Sequence, residues 1–424
     1  MPGSARSRLL AAAALASTSL ALLAAPANAQ VPPAGPGAIP GAWIVTLQPG
    51  QAPERVSGEH ARQHGAQVDH LYQHALRGYA ARMSEQAAAR VARDPRVASV
   101  QRDRVVTAVA PPNREPASTA AQRLPTGIAR IDGELSSTVS GDGSGSVQVD
   151  VAVIDTGIDV DHPDLNVVGG KNCVRGGKNT YDDGNGHGTH VAGTIGAEDD
   201  GDGVVGVAPG ARLWAVRVLN NQGSGSWSSI ICGVDWVTAN RSTIEVANMS
   251  LGGTGTEPTV AGCSTGDALH DAICTSVSGG VTHVVAAGND SADAAGFVPA
   301  AYDEVITVSA LADFDGAPGG LGSPTCRTDG DDTFADFSNH GADVDLVAPG
   351  VCIDSTWKGG GYTTISGTSM ASPHVAGAAA LYRAANAATP EQVKAALLLA
   401  GNDGWDNSDD GDTTKEPLLD VDAF

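Results

Sequence analysis

Along much of the chain, short Val- and Ile-rich runs alternate with segments whose apolar residues recur at helical spacing. From Val147 onward this gives VQVDVAVID, HVAGTIGA, RLWAVRVL, SIICGVDWVTAN, EVANMSL, THVVAAGN, EVITVSAL and VDLVAPG. The alternation predicts an α/β fold, a mostly parallel sheet flanked by helices, with strands buried on both faces. In such folds functional residues gather beyond the carboxyl ends of the strands. The preceding segment has a different pattern. Ala42 to Leu47 alternates as a strand, residues 52–65 and 85–93 have helical spacing, and residues 74–83, 97–101 and 105–109 look extended. That is a small α+β unit, bounded at 41–110, with the Pro/Gly linker VPPAGPGAIP before it. Residues 111–127 lack periodicity and are proline-rich, the mark of a linker or arm, and 128–424 form the larger domain.

The first 29 residues follow another logic. Arg6 and Arg8 precede an apolar run from Leu9 to Ala25 and an A-x-A site at Ala27, Asn28 and Ala29. This is the pattern of a secretory signal peptide, so a secreted chain is expected, with no membrane partner. Ser17, Thr18 and Ser19 interrupt the run, which argues against a membrane span. In an oxidising compartment the six cysteines are expected to pair; 15 connectivities are open. The favoured set is Cys263 with Cys274, Cys326 with Cys352, and Cys173 with Cys232.

Charge divides the chain further. The formal charge of −23 comprises +2 on residues 1–40, +3 on 41–110 and −28 on the remainder. A basic segment ahead of an acidic body suggests attraction between the two, and the acidic body is a poor partner for nucleic acid.

Three motifs carry candidate chemistry. VAVIDTGID sets Asp155 after an apolar strand, GHGTHVAG sets His187 at a helix start, and GTSMASPHVAG sets Ser369 at another. Acyl transfer needs a nucleophile, a base to take its proton and an acid to hold the base's tautomer, and these are those residue types. The rivals fit less well. No second D-T-G or D-S-G supplies the carboxylate pair of an aspartic protease, and His187 and His190 lack the H-E-x-x-H arrangement of a zinc peptidase. No catalytic metal is therefore expected, and His190, His162 and His374 read as structural. The G-x-S-x-G elbow of an esterase is likewise missing around Ser369.

With AAGN at Ala286 to Asn289, these motifs and their Asp–His–Ser order resemble the subtilisin family of serine proteases, nearest its proteinase K-like branch, over about residues 125–400. The resemblance implies a serine endopeptidase of broad specificity, and the unit at 41–110 is similar to the family's inhibitory I9-type propeptide. It assigns the oxyanion amide to Asn289 beside the backbone N–H of Ser369. It matches Gly223, Ser224 and Gly225, and Ser250, Leu251, Gly252 and Gly253, to two edges that hold an extended polypeptide as an added strand. Leu251, Ala286, Ala287 and Gly288 would line the pocket for the residue before the cut, favouring apolar or aromatic side chains, with Trp227 bordering an outer pocket. A structural Ca²⁺ would be held by Asp164 and Asp200 with carbonyls of Glu198, Asp202 and Val204, in an oxygen-rich loop of a kind that suits the ion. The resemblance also allows a second cation near Asp303, Val305 and Asp313, and the number of sites stays open. The partners implied are polypeptide substrates and the chain's own propeptide, which occupies the site until self-cleavage near residues 108–110. A monomer is expected.

Overall fold

The computed structural model describes residues 35, 37–108, 121–175, 180–412 and 414–424, and the backbone of 114–116. The expected signal peptide and residues 109 and 110 of the expected cut lie outside the described residues.

The N-terminal unit runs β1 (Ala38–Leu47), α1 (Pro53–His64), β2 (Gln67–Tyr72), β3 (Gly78–Arg82), α2 (Glu85–Val91) and β4 (Val97–Ala108). Its antiparallel sheet buries Trp43, Val45 and Tyr79 against α1 and α2. Two expectations change here. Strand β2 was absent from the sequence reading, because its alternate positions Val68, His70 and Tyr72 include a histidine. The runs at 97–101 and 105–109 are one strand. The polar Arg102-Asp103-Arg104 between them is accommodated by separate partners: Arg102 lies over the Trp43 ring at 4.5 Å and pairs with Glu85 at 2.6 Å, while Arg104 covers Trp227 at 4.7 Å.

The larger body begins with β5 (Arg114–Pro116) and α3 (Thr126–Arg130). It continues with β6 (Asp150–Asp155), β7 (Val167–Asn172), α4 (His187–Gly196), β8 (Arg212–Arg217), β9 (Ser224–Ser226), α5 (Trp227–Ala239), β10 (Val246–Met249), β11 (Leu251–Thr254), α6 (Ala268–Ser278) and β12 (Thr282–Ala286). After these come β13 (Phe297–Val298), β14 (Ile306–Ala312), β15 (Thr333–Phe334), β16 (Leu346–Pro349), β17 (Ile353–Trp357), β18 (Gly361–Ile365), α7 (Thr368–Ala385) and α8 (Pro390–Ala400).

The central sheet has the order β15-β14-β12-β10-β6-β8-β7, with β16 beside β14, and all its pairs are parallel except β14 with β15. Strand β6 shows why the sequence patterning was apolar throughout. Val151 and Val153 face a core shared with α4, α7 and α8, while Ala152 and Ile154 face a second core under α5 and α6. The mostly parallel α/β fold expected from the patterning is what the structure shows. Disulfides join Cys173 to Cys232, Cys263 to Cys274 and Cys326 to Cys352.

The two units share a sheet. The end of β4 enters between β9 and β11, pairing Val106 with Gly225 and Thr107 with Ser224 on one side, and Ala108 with Leu251 on the other. The contact is less a matter of bulk charge than of capped backbone. Asp103 of β4 accepts from Ser228 N at 3.0 Å at the start of α5, and Gln101 Oε1 accepts from Ala268 N at 2.8 Å at the start of α6. In return Asp235 of α5 accepts from Gln73 N, His74 N and Ala75 N at 2.7–3.0 Å. The nearest ion pair runs opposite to the expected polarity, from Arg175 of the body to Asp69 of the N-terminal unit at 3.2 Å.

Candidate active site

Asp155 is the last residue of β6, His187 the first of α4 and Ser369 the second of α7. Each is placed by local features. Asp155 is buried, and its Oδ1 accepts from Thr156 N at 2.6 Å. Below α4, the buried carboxylate of Asp183 accepts from Asn185 N, Gly186 N and Thr189 N at 2.8–3.0 Å, collecting the free N–H groups of that helix start. In α7, Pro373 has no N–H to give to the Ser369 carbonyl four residues earlier; Ser250 Oγ donates to it instead, at 2.9 Å. That bond ties the Ser369 backbone to β11, the edge that pairs with β4.

The histidine pairs with the aspartate. His187 Nδ1 is 2.8 and 2.9 Å from the two oxygens of Asp155, while its Nε2 is buried with no hydrogen-bond partner. Ser369 Oγ donates to Ser250 O at 3.2 Å. Burial alone would lower the pKa of His187; the charge and hydrogen bond of Asp155, with Asp183 behind it, outweigh burial and leave it above its ordinary value.

Asn289 offers a second unpaired group. Its Oδ1 accepts from Thr368 N and Thr368 Oγ1, both at 2.9 Å, so the amide is oriented with Nδ2 free, and Nδ2 is buried without a partner. A Cβ on Gly367 would come within 3.0 Å of Asn289 Nδ2 and 3.7 Å of Ser369 N, so glycine keeps a side chain out of the space beside both. Gly288 has φ +114°, and a side chain there would collide with Asn339. Buried donors and bases are almost always paired, so two orphaned groups beside one cavity mark a place made for a ligand.

The cavity, about 610 Å³, is lined by His187, Asn289, Ala286, Ala287, Gly288, Gly252, Gly253 and Phe297, with Thr107 and Ala108 of β4 at its wall. The lone charge of its described lining, Asp290, is exposed. Two residues named from the sequence are not among the described lining of this cavity. Leu251 is fully buried in the core under α5 and α6, and Trp227 packs beneath Arg104 of β4. Phe297, Asp183 and Thr368 were not found by sequence reasoning. The T-S pair at the helix start was the available signal for Thr368, and an acid four residues before His187, bonded to the N–H groups of that helix start, was a local signal for Asp183; Phe297 reaches the site through tertiary packing alone. The three histidines read as structural each bond a backbone carbonyl through one nitrogen: His190 Nε2 faces Ile353 O and Thr363 O, His162 Nε2 faces Gly361 O, and His374 Nδ1 faces Met370 O, at 2.8–3.1 Å, while His190 Nδ1 and His374 Nε2 are buried without a hydrogen-bond partner.

The residues named for calcium converge in part. Asp164 is buried; its Oδ2 accepts from Val204 N at 3.1 Å and its Oδ1 has no partner. Burial, helped by Asp200 and Glu198, raises its pKa to about 7. Asp200 and Asp202 are exposed, Glu198 is half-buried and Val204 is buried. The second cation is corrected. The carbonyls of Asp303 and Val305 lie 3.4 and 2.9 Å from Lys394 Nζ, which also pairs with Asp345 at 2.7 Å, so an ammonium takes that place. Asp313 is not part of that group and lies beside Arg130, 3.3 Å away.

Comparison with known proteins decides the family. Residues 146–414 match the Subtilase family, and residues 42–108 match Peptidase inhibitor I9. The chain belongs to the subtilase family. It is 40% identical over 389 residues to an extracellular serine proteinase of Thermus sp. (strain Rt41A), covering 86% of this chain and 85% of that one. It is 42% identical over 306 residues to subtilisin E of Bacillus subtilis (strain 168), covering 71% and 69%. Among solved structures, a cold adapted subtilisin-like serine proteinase aligns with a TM-score of 0.54 at 39% identity, covering 64% of this subtilase and 88% of that chain. As a subtilase it is a serine-type endopeptidase, and its N-terminal unit is an inhibitor I9 propeptide domain. Among the described residues no helix is long and apolar enough to cross a membrane.

Proposed function

We propose that this subtilase is a secreted, self-maturing endopeptidase in which Ser369 is the nucleophile, His187 the general base and Asp155 the residue that fixes the base's tautomer. Asn289 Nδ2 and Ser369 N receive the oxyanion. The observation that carries the reading is the pairing of His187 Nδ1 with Asp155 while Nε2 and Asn289 Nδ2 stay unpaired beside one cavity. With Nδ1–H held by Asp155, Nε2 carries the lone pair. It takes the Ser369 Oγ proton as Oγ attacks the substrate carbonyl, and the new C–O⁻ accepts from Asn289 and Ser369 N. His187 then returns the proton to the leaving amine, and water releases the acyl group by the same steps. The Oγ–Nε2 hydrogen bond forms when substrate is seated, as such contacts commonly tighten on binding.

Substrate takes the place of Thr107 and Ala108 between β9 and β11, held mainly by backbone bonds, which favours broad specificity. The apolar walls formed by Ala286, Ala287, Phe297 and Val298 favour apolar or aromatic residues before the cut. The domain limits follow: a signal peptide at 1–29, a propeptide at 41–110, an arm at 111–127 and a peptidase domain at 128–424. A Ca²⁺ ion fits the loop at 197–204, where Asp164 Oδ1 is a buried oxygen without a donor; Asp164, Asp200 and the carbonyls of Glu198, Asp202 and Val204 would hold it and stabilise the loop. Chelation then lowers the thermal midpoint, and an unchanged midpoint would count against the ion.

The reading is tested by kcat/KM on matched peptides with Phe or Arg before the cut, together with expression of Ser369→Ala alone. Phe is expected to be preferred and the variant precursor to stay uncut. Faster Arg cleavage would overturn the specificity, and maturation of the variant would overturn self-processing.

A further inference from the structure

Strand β14 ends at Ala312, and residues 313–332 form a long loop before β15. At its two ends Asp313, Asp315 and Asp331 bring carboxylate oxygens within 4.8 Å of one another. Two oxygens that each sit about 2.4 Å from a shared ion can be no more than about 4.8 Å apart, so the spacing is compatible with one Ca²⁺ between them.

A cluster of acids on a surface would mean little, but this one reaches into the core. Asp313 has no exposed side-chain surface. Its Oδ1 accepts from Gly316 N at 2.8 Å; its Oδ2 is buried and accepts no hydrogen bond. Arg130 Nε forms a loose ion pair with that Oδ2 at 3.3 Å but directs its hydrogen bond to Asp332 Oδ1 at 2.7 Å, and Arg130 Nη2 donates to Gly404 O at 2.6 Å. Asp332 Oδ2 is satisfied by Gly319 N and Gly320 N, at 2.6 and 2.9 Å. One guanidinium is therefore shared by Asp313 and Asp332, and among the described residues Arg130 is the cation that faces the four carboxyl groups of Asp313, Asp315, Asp331 and Asp332. A buried carboxylate oxygen that accepts no hydrogen bond and shares its ion-pair partner with a second carboxylate is costly, and a further cation beside it lowers that cost.

The rest of the group is shaped around the same point. Asp331 is oriented by Phe314 N and Gly322 N, each donating at 2.7 Å. Asp315 is exposed and gives the ion a way in from water. The donors are all oxygen, with no imidazole or thiolate in the group, which selects a hard cation over zinc. We propose that Asp313, Asp315 and Asp331 bind one Ca²⁺ that pins the 313–332 loop to the end of β14, separately from the loop at 197–204. The proposal does not depend on the catalytic roles given above.

The test is a calorimetric titration with Ca²⁺ alone of the full chain carrying Ser369→Ala, which prevents self-digestion. Asp315→Asn, at an exposed position where folding is not at risk, is expected to remove one equivalent of bound Ca²⁺ or weaken it at least about tenfold. Asp313→Asn is expected to do the same, and Asp164→Asn to leave this equivalent in place. Binding by Asp315→Asn with the parent's stoichiometry and affinity would overturn the proposal, as would loss of this same equivalent in Asp164→Asn.

Discussion

Thr368 Oγ1 donates to Asn289 Oδ1 at 2.9 Å, and the Thr368 N–H donates to the same oxygen at the same distance. Two donors on one oxygen decide which end of the amide faces the cavity, so the residue before the nucleophile sets the direction of the oxyanion donor. Thr368→Val keeps the shape and one of the two bonds. Its kcat is expected to fall about tenfold with KM little changed, the size of one lost hydrogen bond. Asn289→Leu should cost more, about 10²–10³ in kcat, a range already established for subtilisin and borrowed here. Steady-state kinetics on one peptide compare the two; equal kcat in Thr368→Val and the parent would remove the positioning role.

The acid limb of the pH profile follows from His187. The base must be neutral to accept a proton, and Asp155 and Asp183 hold its pKa above the ordinary 6.5 against the pull of burial. Activity in kcat/KM is therefore expected to fall as pH drops through a midpoint above 6.5. Replacing Asp183 with Asn removes one negative charge and should move that midpoint to lower pH. A midpoint that does not move would show that Asp183 acts only on the helix start.

Lys394 gives a stability prediction. Its ammonium serves the carbonyls of Asp303 and Val305 and the Asp345 carboxylate at once. Lys394→Met leaves these acceptors without their cation, so the thermal midpoint is expected to drop by a few degrees and to recover more with added Ca²⁺ than the parent's does. An unchanged midpoint would mean that the lysine is a surface ornament.

Release of the propeptide depends on Asp235, whose buried carboxylate accepts from three successive backbone N–H groups. Asp235→Ala leaves those donors to water in the complex. The lag between self-cleavage and the appearance of activity should shorten about tenfold or more. A lag equal to the parent's would place the grip elsewhere, at the Asp103 and Gln101 caps.

Much of this was readable from sequence because it is local. The apolar runs of a sheet buried on both faces, the glycine-rich helix starts and the D-T-G, G-H-G-T-H and G-T-S-M motifs each lie within a few residues. What could not be read depends on partners far along the chain. Strand β4 looks broken until Trp43, Glu85 and Ser228 receive its polar middle. Lys394 follows the cation site it fills by about ninety positions, and no local pattern connects them. Leu251 has the composition of a pocket residue, and only the packing of α5 and α6 shows how deeply it is buried.

The central claim is that Ser369 is the hydroxyl that His187 activates. Treating the mature enzyme with a sulfonyl fluoride and mapping the adduct by peptide mass spectrometry tests it most directly. The account predicts one label per chain, on Ser369, rising in step with the loss of activity and absent from His187→Ala. Full inactivation with the label on another residue, or activity surviving in Ser369→Ala, would contradict it.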